Sequence, residues 1–184
     1  MNLKLLWYCT KANGKNYYLR KLPNGRYCLS RDKGESLNGK IVAESDYDCE
    51  EITHGYGKYG EYYQAKTLGL MSLREHSCIS SDKLSEYLKR GDVVSKVGYA
   101  IHIKNLNVFD KPKELRDFYK VEKTGGAEPA RNLIKAPQNM CYAFDKDGNK
   151  YVVISVHPEW LCLILNGKKD VELRRKVLKE MIPC

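Results

Sequence analysis

The most chemically loaded stretch of the chain is Gly167-Lys168-Lys169-Asp170-Val171-Glu172-Leu173-Arg174-Arg175-Lys176, where charges alternate with two aliphatic residues. Such alternation predicts a strand, with Lys168, Asp170, Glu172 and Arg174 on one face and Lys169, Val171, Leu173 and Arg175 on the other. The cations Lys168, Arg174 and Arg175 would depress the Lys169 pKa and hold an anion. Glu172 has several uses in such a site. It can hold Lys169 and Arg174 in position, or accept a hydrogen bond from the exocyclic amine of a cytosine or adenine. In an enzyme it could move a proton onto a leaving amine. The plainer alternative is an exposed ladder of ion pairs, each contributing at most about 1 kcal/mol.

The elements that must position these residues are readable nearby. Tyr151-Val152-Val153-Ile154-Ser155-Val156 is the strongest strand signal in the chain. His157-Pro158-Glu159 opens a helix carrying Trp160, Leu161, Leu163, Ile164 and Leu165, which Asn166-Gly167 closes. Ahead of that strand, residues 136–144 lead into another, joined to it by a tight turn at Asp145-Lys146-Asp147-Gly148-Asn149. Further strands are predicted at residues 3–10, 40–44 and 99–103. A small hairpin is predicted within 11–36, where Asn13-Gly14 and Pro23-Asn24-Gly25 supply turns. Helices are predicted from Ser80-Ser81-Asp82 to Gly91, and over 111–119 with Pro112 in the opening turn. Residues 123–132 read as a loop. Gly55, Gly57 and Gly60 make 54–64 a loop too, whose tyrosines either stack bases with Lys58 near the phosphates or cover the edge of the core.

The strand-helix-turn-strand phrase at 152–176, with Gly167-x-Lys169-x-x-Glu172-x-Arg174, resembles the signature of the ASCH family, a relative of the PUA domain. Gly98-Tyr99-Ala100-Ile101-His102-Ile103, the segment from Phe109 to Leu115 and Ala136-Pro137-Gln138-Asn139-Met140-Cys141-Tyr142 are similar to further pieces of it. The family's order is changed here. Its signature normally precedes the strands matched by Trp7-Tyr8-Cys9-Thr10 and Gly39-Lys40-Ile41-Val42-Ala43-Glu44, whereas in this chain it comes last. Joining Met181-Ile182-Pro183-Cys184 to Asn2-Leu3-Lys4-Leu5 restores that order, so the chain resembles a circular permutant.

The resemblance implies an α+β fold: one PUA-like β-barrel with flanking helices, spanning 1–184 as a single domain. It places residues near Leu3 and Pro183 close together and the first strand in the same barrel as 152–156. It also implies recognition of RNA or a nucleotide-like ligand, such as a modified nucleoside, by Gly167, Lys168, Lys169, Glu172, Arg174 and Arg175. Some family members hydrolyse the acyl amide of N4-acetylcytidine with the lysine at the Lys169 position and a threonine where this chain has Glu172. The enzymatic alternative is therefore a small amidohydrolase or ribonuclease with Lys169 and Glu172 catalytic. A protein-interaction module is a third class.

Composition narrows these classes. The 184 residues carry 32 Lys plus Arg against 23 Asp plus Glu, a formal +9 that favours an anionic partner. No apolar run approaches the ~20 residues that cross a bilayer, and the N-terminal run, broken by Lys4, reads as a strand. The seven cysteines form no Cys-x-x-Cys pair, which argues for small buried hydrophobes in a reducing cytoplasm. The four histidines have no ligand spacing, so neither a metal nor a cofactor is expected.

Overall fold

The apolar run Leu5-Leu6-Trp7-Tyr8-Cys9 is buried along its whole length, and this demands neighbours on both sides. In the computed structural model, which describes residues 3–11, 17–88, 95–120 and 131–183, strand β1 (Lys4–Cys9) has them. It pairs antiparallel with the start of β4 (Ile41–Gly57) and parallel with β10 (Lys150–Val156). The Trp7 indole donates to Ser45 Oγ at 2.9 Å, which satisfies a buried polar group on each partner.

The chain divides into two compact units, one of residues 1–46 and 105–166, the other of 47–104 and 167–184. Strands β4 and β6 (Ser95–Lys113) each contribute to both. In the first unit, β10 continues to β9 (Met140–Phe144), then β7 (Tyr119–Lys120) and β8 (Arg131–Asn132). Leu6, Tyr8, Ile41, Phe118, Leu133, Ala143 and Val153 form one of its buried apolar clusters. The predicted hairpin is present as β2 (Tyr18–Lys21) and β3 (Tyr27–Ser30), turning at Gly25 with φ +83°. Asn166, which caps α3 (Pro158–Leu165), exchanges two 2.9 Å hydrogen bonds with the Tyr27 backbone and ties the hairpin to that helix. The predicted turn at 145–149 is closed by the Asp145 carboxylate, which accepts from the Asp147 and Asn149 amides at 2.9 Å.

The second unit holds the rest of β4 and β6, β5 (Gly60–Ala65), α1 (Leu70–Ser77), α2 (Ser81–Leu88) and β11 (Val171–Arg174). Its core joins Ile52, Tyr63, Leu73, Leu84, Leu88, Val97, Ala100, Val171 and Leu173, so all six of these elements contribute to one apolar cluster. Val171 to Arg174 pair antiparallel with His102 to Tyr99 of β6.

The fold is mixed α and β: mostly strands in a large sheet, with three helices among the described residues. Strand order runs β11-β6-β4-β1-β10-β9-β7-β8, with β5 on β4, an open path with no closed ring among the described residues. No described helix is long and apolar enough to cross a membrane. Strands 3–10 and 152–156 do adjoin, as β1 and β10. Leu3 and Pro183 belong to different units. Gly91 and residues 123–130 lie outside the described residues.

Three expectations are corrected. Residues 111–119 are not a helix: β6 runs on to Lys113, and a single 3-10 turn at Leu115–Asp117 follows. The Glu114 amide donates to Asp117 Oδ2 at 2.9 Å, so the local side chain closes one tight turn and no longer helix starts. Residues 54–64 are not a loop: β4 and β5 pair in register from Ile52↔Ala65 to Gly57↔Gly60. Only Gly60 among those glycines needs a positive φ, +104°; Gly55 and Gly57 lie in the strand. The predicted charged strand is also shorter than its alternating pattern, since only 171–174 pair.

Candidate functional site

The four C-terminal carbonyls of a helix lack partners within it, and α1 meets this need with the segment that precedes β11. Its cap residue Cys78 turns left-handed at φ 58°, which aims the last turn at residues 168–170. The Asp170 amide donates to His76 O at 3.2 Å, and the His76 Nδ1 sits 2.7 and 3.0 Å from the two Asp170 carboxylate oxygens. Cys78 Sγ reaches Lys168 O at 3.2 Å. Between these straps, the Lys169 ammonium donates to Ser77 O at 2.7 Å, a cation at the negative end of the helix.

Lys169 is 3% exposed and Glu172 8%. One Glu172 oxygen lies 3.3 Å from Lys169 Nζ and the other 2.9 Å from Arg174 Nη2, so a single buried carboxylate serves two cations. Burial pushes the Lys169 ammonium below its ordinary value of 10.5, and the opposing pull of Glu172 does not cancel that. The site therefore holds a charge at a cost that its carboxylate only partly offsets. Next to it, Tyr87 Oη donates to Leu173 O at 3.4 Å, and the Arg175 guanidinium stands 4.8 Å over the Tyr87 ring. Burial raises the pKa of the Tyr87 hydroxyl, so it stays a neutral donor at ordinary pH.

Of the six residues that the sequence singles out, Lys169, Glu172 and Arg174 come together. Lys168, Gly167 and Arg175 are exposed, and Gly167 takes φ +71° as the turn into the segment. The exposed ladder is overturned, because Lys169 and Glu172 are buried. The face assignment fails for Lys169 as well. It lies ahead of the paired strand, where the period of two does not hold, and its amine joins Glu172 on what should be the opposite face. Sequence reasoning missed α1, which supplies Ser77 O and His76. The signal was there in Leu70, Leu73 and Ser77 at helical spacing, with Leu73 and Ser77 now buried.

The cysteines divide. Cys9 and Cys49 are buried, and burial pushes both thiols up to about 12, as expected of small core residues. Cys28, Cys78, Cys141 and Cys162 are half-buried. No group of His, Cys, Asp and Glu suited to a metal occurs among the described residues.

Comparison with family models, curated proteins and solved structures finds no match to this chain. The functional reading rests on the chemistry of these side chains.

Proposed function

We propose that the chain is a nucleotide- or RNA-binding protein that receives the electron-rich groups of its ligand at Lys169, Glu172 and Arg174. The observation that carries this reading is one buried carboxylate held between two basic side chains, with burial lowering the Lys169 pKa and Glu172 pulling it back up. An anionic or carbonyl oxygen arriving at Lys169 or Arg174 would supply the attraction that Glu172 shares between them. The second Glu172 lone pairs would accept from an exocyclic amine, a pairing that suits cytosine or adenine. The formal +9 of the chain favours a polyanion over a neutral metabolite. On this reading the fold is a circularly permuted ASCH domain of the PUA-like class.

A second reading has its own observation. A lysine whose pKa is lowered by burial can lose its proton nearer neutral pH and, as a base, take a proton from the water that adds to an acyl carbonyl. The amide C–N bond then breaks, and Glu172, 3.3 Å from the Lys169 amine, would relay that proton to the leaving amine. This would make the chain an amidohydrolase on N4-acylated cytidine. The two readings part on turnover. Incubation with N4-acetylcytidine and with short single-stranded RNAs, followed by mass spectrometry, should return both unchanged if the site only binds. Deacetylation by the wild type that disappears in Lys169→Met would establish the enzyme instead.

A further inference from the structure

The β4–β5 hairpin belongs to the same unit as the triad, and α1 packs against both β5 and β11. On one face of the hairpin Ile52, His54 and Tyr56 stand opposite Ala65, Tyr63 and Glu61. Its inner half is fixed. His54 and Tyr63 are buried with ring centroids 4.8 Å apart, and His54 Nε2 lies 2.6 Å from Glu61 Oε1. The Tyr63 hydroxyl donates to the same oxygen at 3.2 Å and meets Ser85 Oγ of α2 at 3.1 Å. The outer half continues the stack into water. Tyr56 meets the His54 ring edge-on at 5.3 Å and is 53% exposed, while Tyr59 at the turn is 94% exposed with the Lys58 ammonium 5.5 Å from its centroid.

A tyrosine that covers the core must be buried, and only Tyr63 does that here. Tyr56 and Tyr59 add nothing to the apolar cluster, yet they ride on a rigid, hydrogen-bonded base. Nothing lies within 4 Å of where a Gly60 Cβ would stand, so a flat ligand can approach the turn closely. An exposed Tyr59 ring beside an ammonium, with the half-exposed Tyr56 ring on the same hairpin, suits unpaired bases joined by a phosphate. A protein surface of this size would need more contiguous apolar area than two rings among glycines provide.

We propose that the hairpin tip is a stacking subsite for single-stranded RNA, with Tyr56 and Tyr59 taking bases and Lys58 a phosphate. This rests on the reading of the triad as an RNA site and extends it to a second point of contact. The test titrates a short oligouridylate and its abasic counterpart, which keeps the phosphates and lacks the bases. Tyr59→Ala should weaken oligouridylate binding at least about fivefold and leave the abasic strand unaffected, and Tyr59→Phe should restore the affinity. Equal effects on the two strands, or none on oligouridylate, would overturn the stacking subsite. Lys169→Met run in parallel separates the claims. A loss there with none in Tyr59→Ala removes the subsite and keeps the triad; the reverse pattern keeps the subsite and removes the triad. Wild-type self-association abolished by Tyr59→Ala would assign the tip to protein contact and overturn the proposal.

Discussion

Lys169 and Glu172 are buried side by side, yet their substitutions should have unequal consequences. Lys169→Met leaves Glu172 paired with Arg174, 2.9 Å away, and removes a desolvated charge. Glu172→Gln leaves two cations around a neutral amide. Breaking a buried pair from the side that strands charge costs roughly 3 kcal/mol, whereas an apolar replacement of similar volume costs far less. We therefore expect Glu172→Gln to melt well below the wild type at neutral pH and Lys169→Met to melt near it. The difference between wild type and Lys169→Met should also depend on pH. The folded-state pKa of Lys169 is lowered, so below it both folded and unfolded chains hold the proton and the folded chain bears the cost. As pH rises from that value toward 10.5, the folded chain releases its proton first and stability rises. Wild type should gain on Lys169→Met over that window in denaturant titrations. A constant difference across it would mean that the amine is not desolvated. The sequence made these charges visible as a motif but could not say that they were buried, because an alternating charged pattern reads as a solvated face.

At the scale of elements, β11 reaches its position by close approach to β6. A Cβ on Gly98 would fall 2.8 Å from Arg174 O and 3.0 Å from Leu88 Cδ2, the first a backbone atom that cannot step aside. Gly98→Ala should push β11 from β6, destabilise the chain by about 1–3 kcal/mol in thermal melting, and lower ligand affinity through displacement of Glu172 and Arg174. A wild-type melting curve would show that the strands can part there without cost. Elements set by local pattern were legible: β1, β10, α3, the β2–β3 hairpin and the turn at Asp145 all follow from apolar runs, Pro, Gly and Asx chemistry. Those set by partners were not. Gly55 and Gly57 look like loop residues, but pairing with β5 holds them extended. Lys111 to Tyr119 look helical, but β6 is carried through Lys113, whose ammonium packs 4.2 Å over the Phe109 ring. The helix α1 was overlooked although its spacing was present, and with it went the carbonyl that anchors Lys169.

For the whole molecule, the division into two units assigns all of the triad, its α1 anchor and the aromatic hairpin to one of them. Sequence alone pointed to Lys169, Glu172 and Arg174 by type and spacing, and it named an anionic partner from net charge. It could not separate a site from a diffuse basic surface, since +9 spread over a chain attracts RNA anywhere. The most direct measurement is therefore the affinity for single-stranded RNA as a function of salt, for the wild type, Lys169→Met, Arg174→Met and Lys146→Met, the last in the exposed β9–β10 turn. A localised site predicts that wild-type affinity falls as salt rises, that the Lys169 and Arg174 variants each lose about tenfold at a fixed salt, roughly 1.4 kcal/mol, and that Lys146→Met stays within about twofold. Equal losses in all three variants, or binding that none of them changes, would contradict the assignment of the ligand to the Lys169–Glu172–Arg174 cluster.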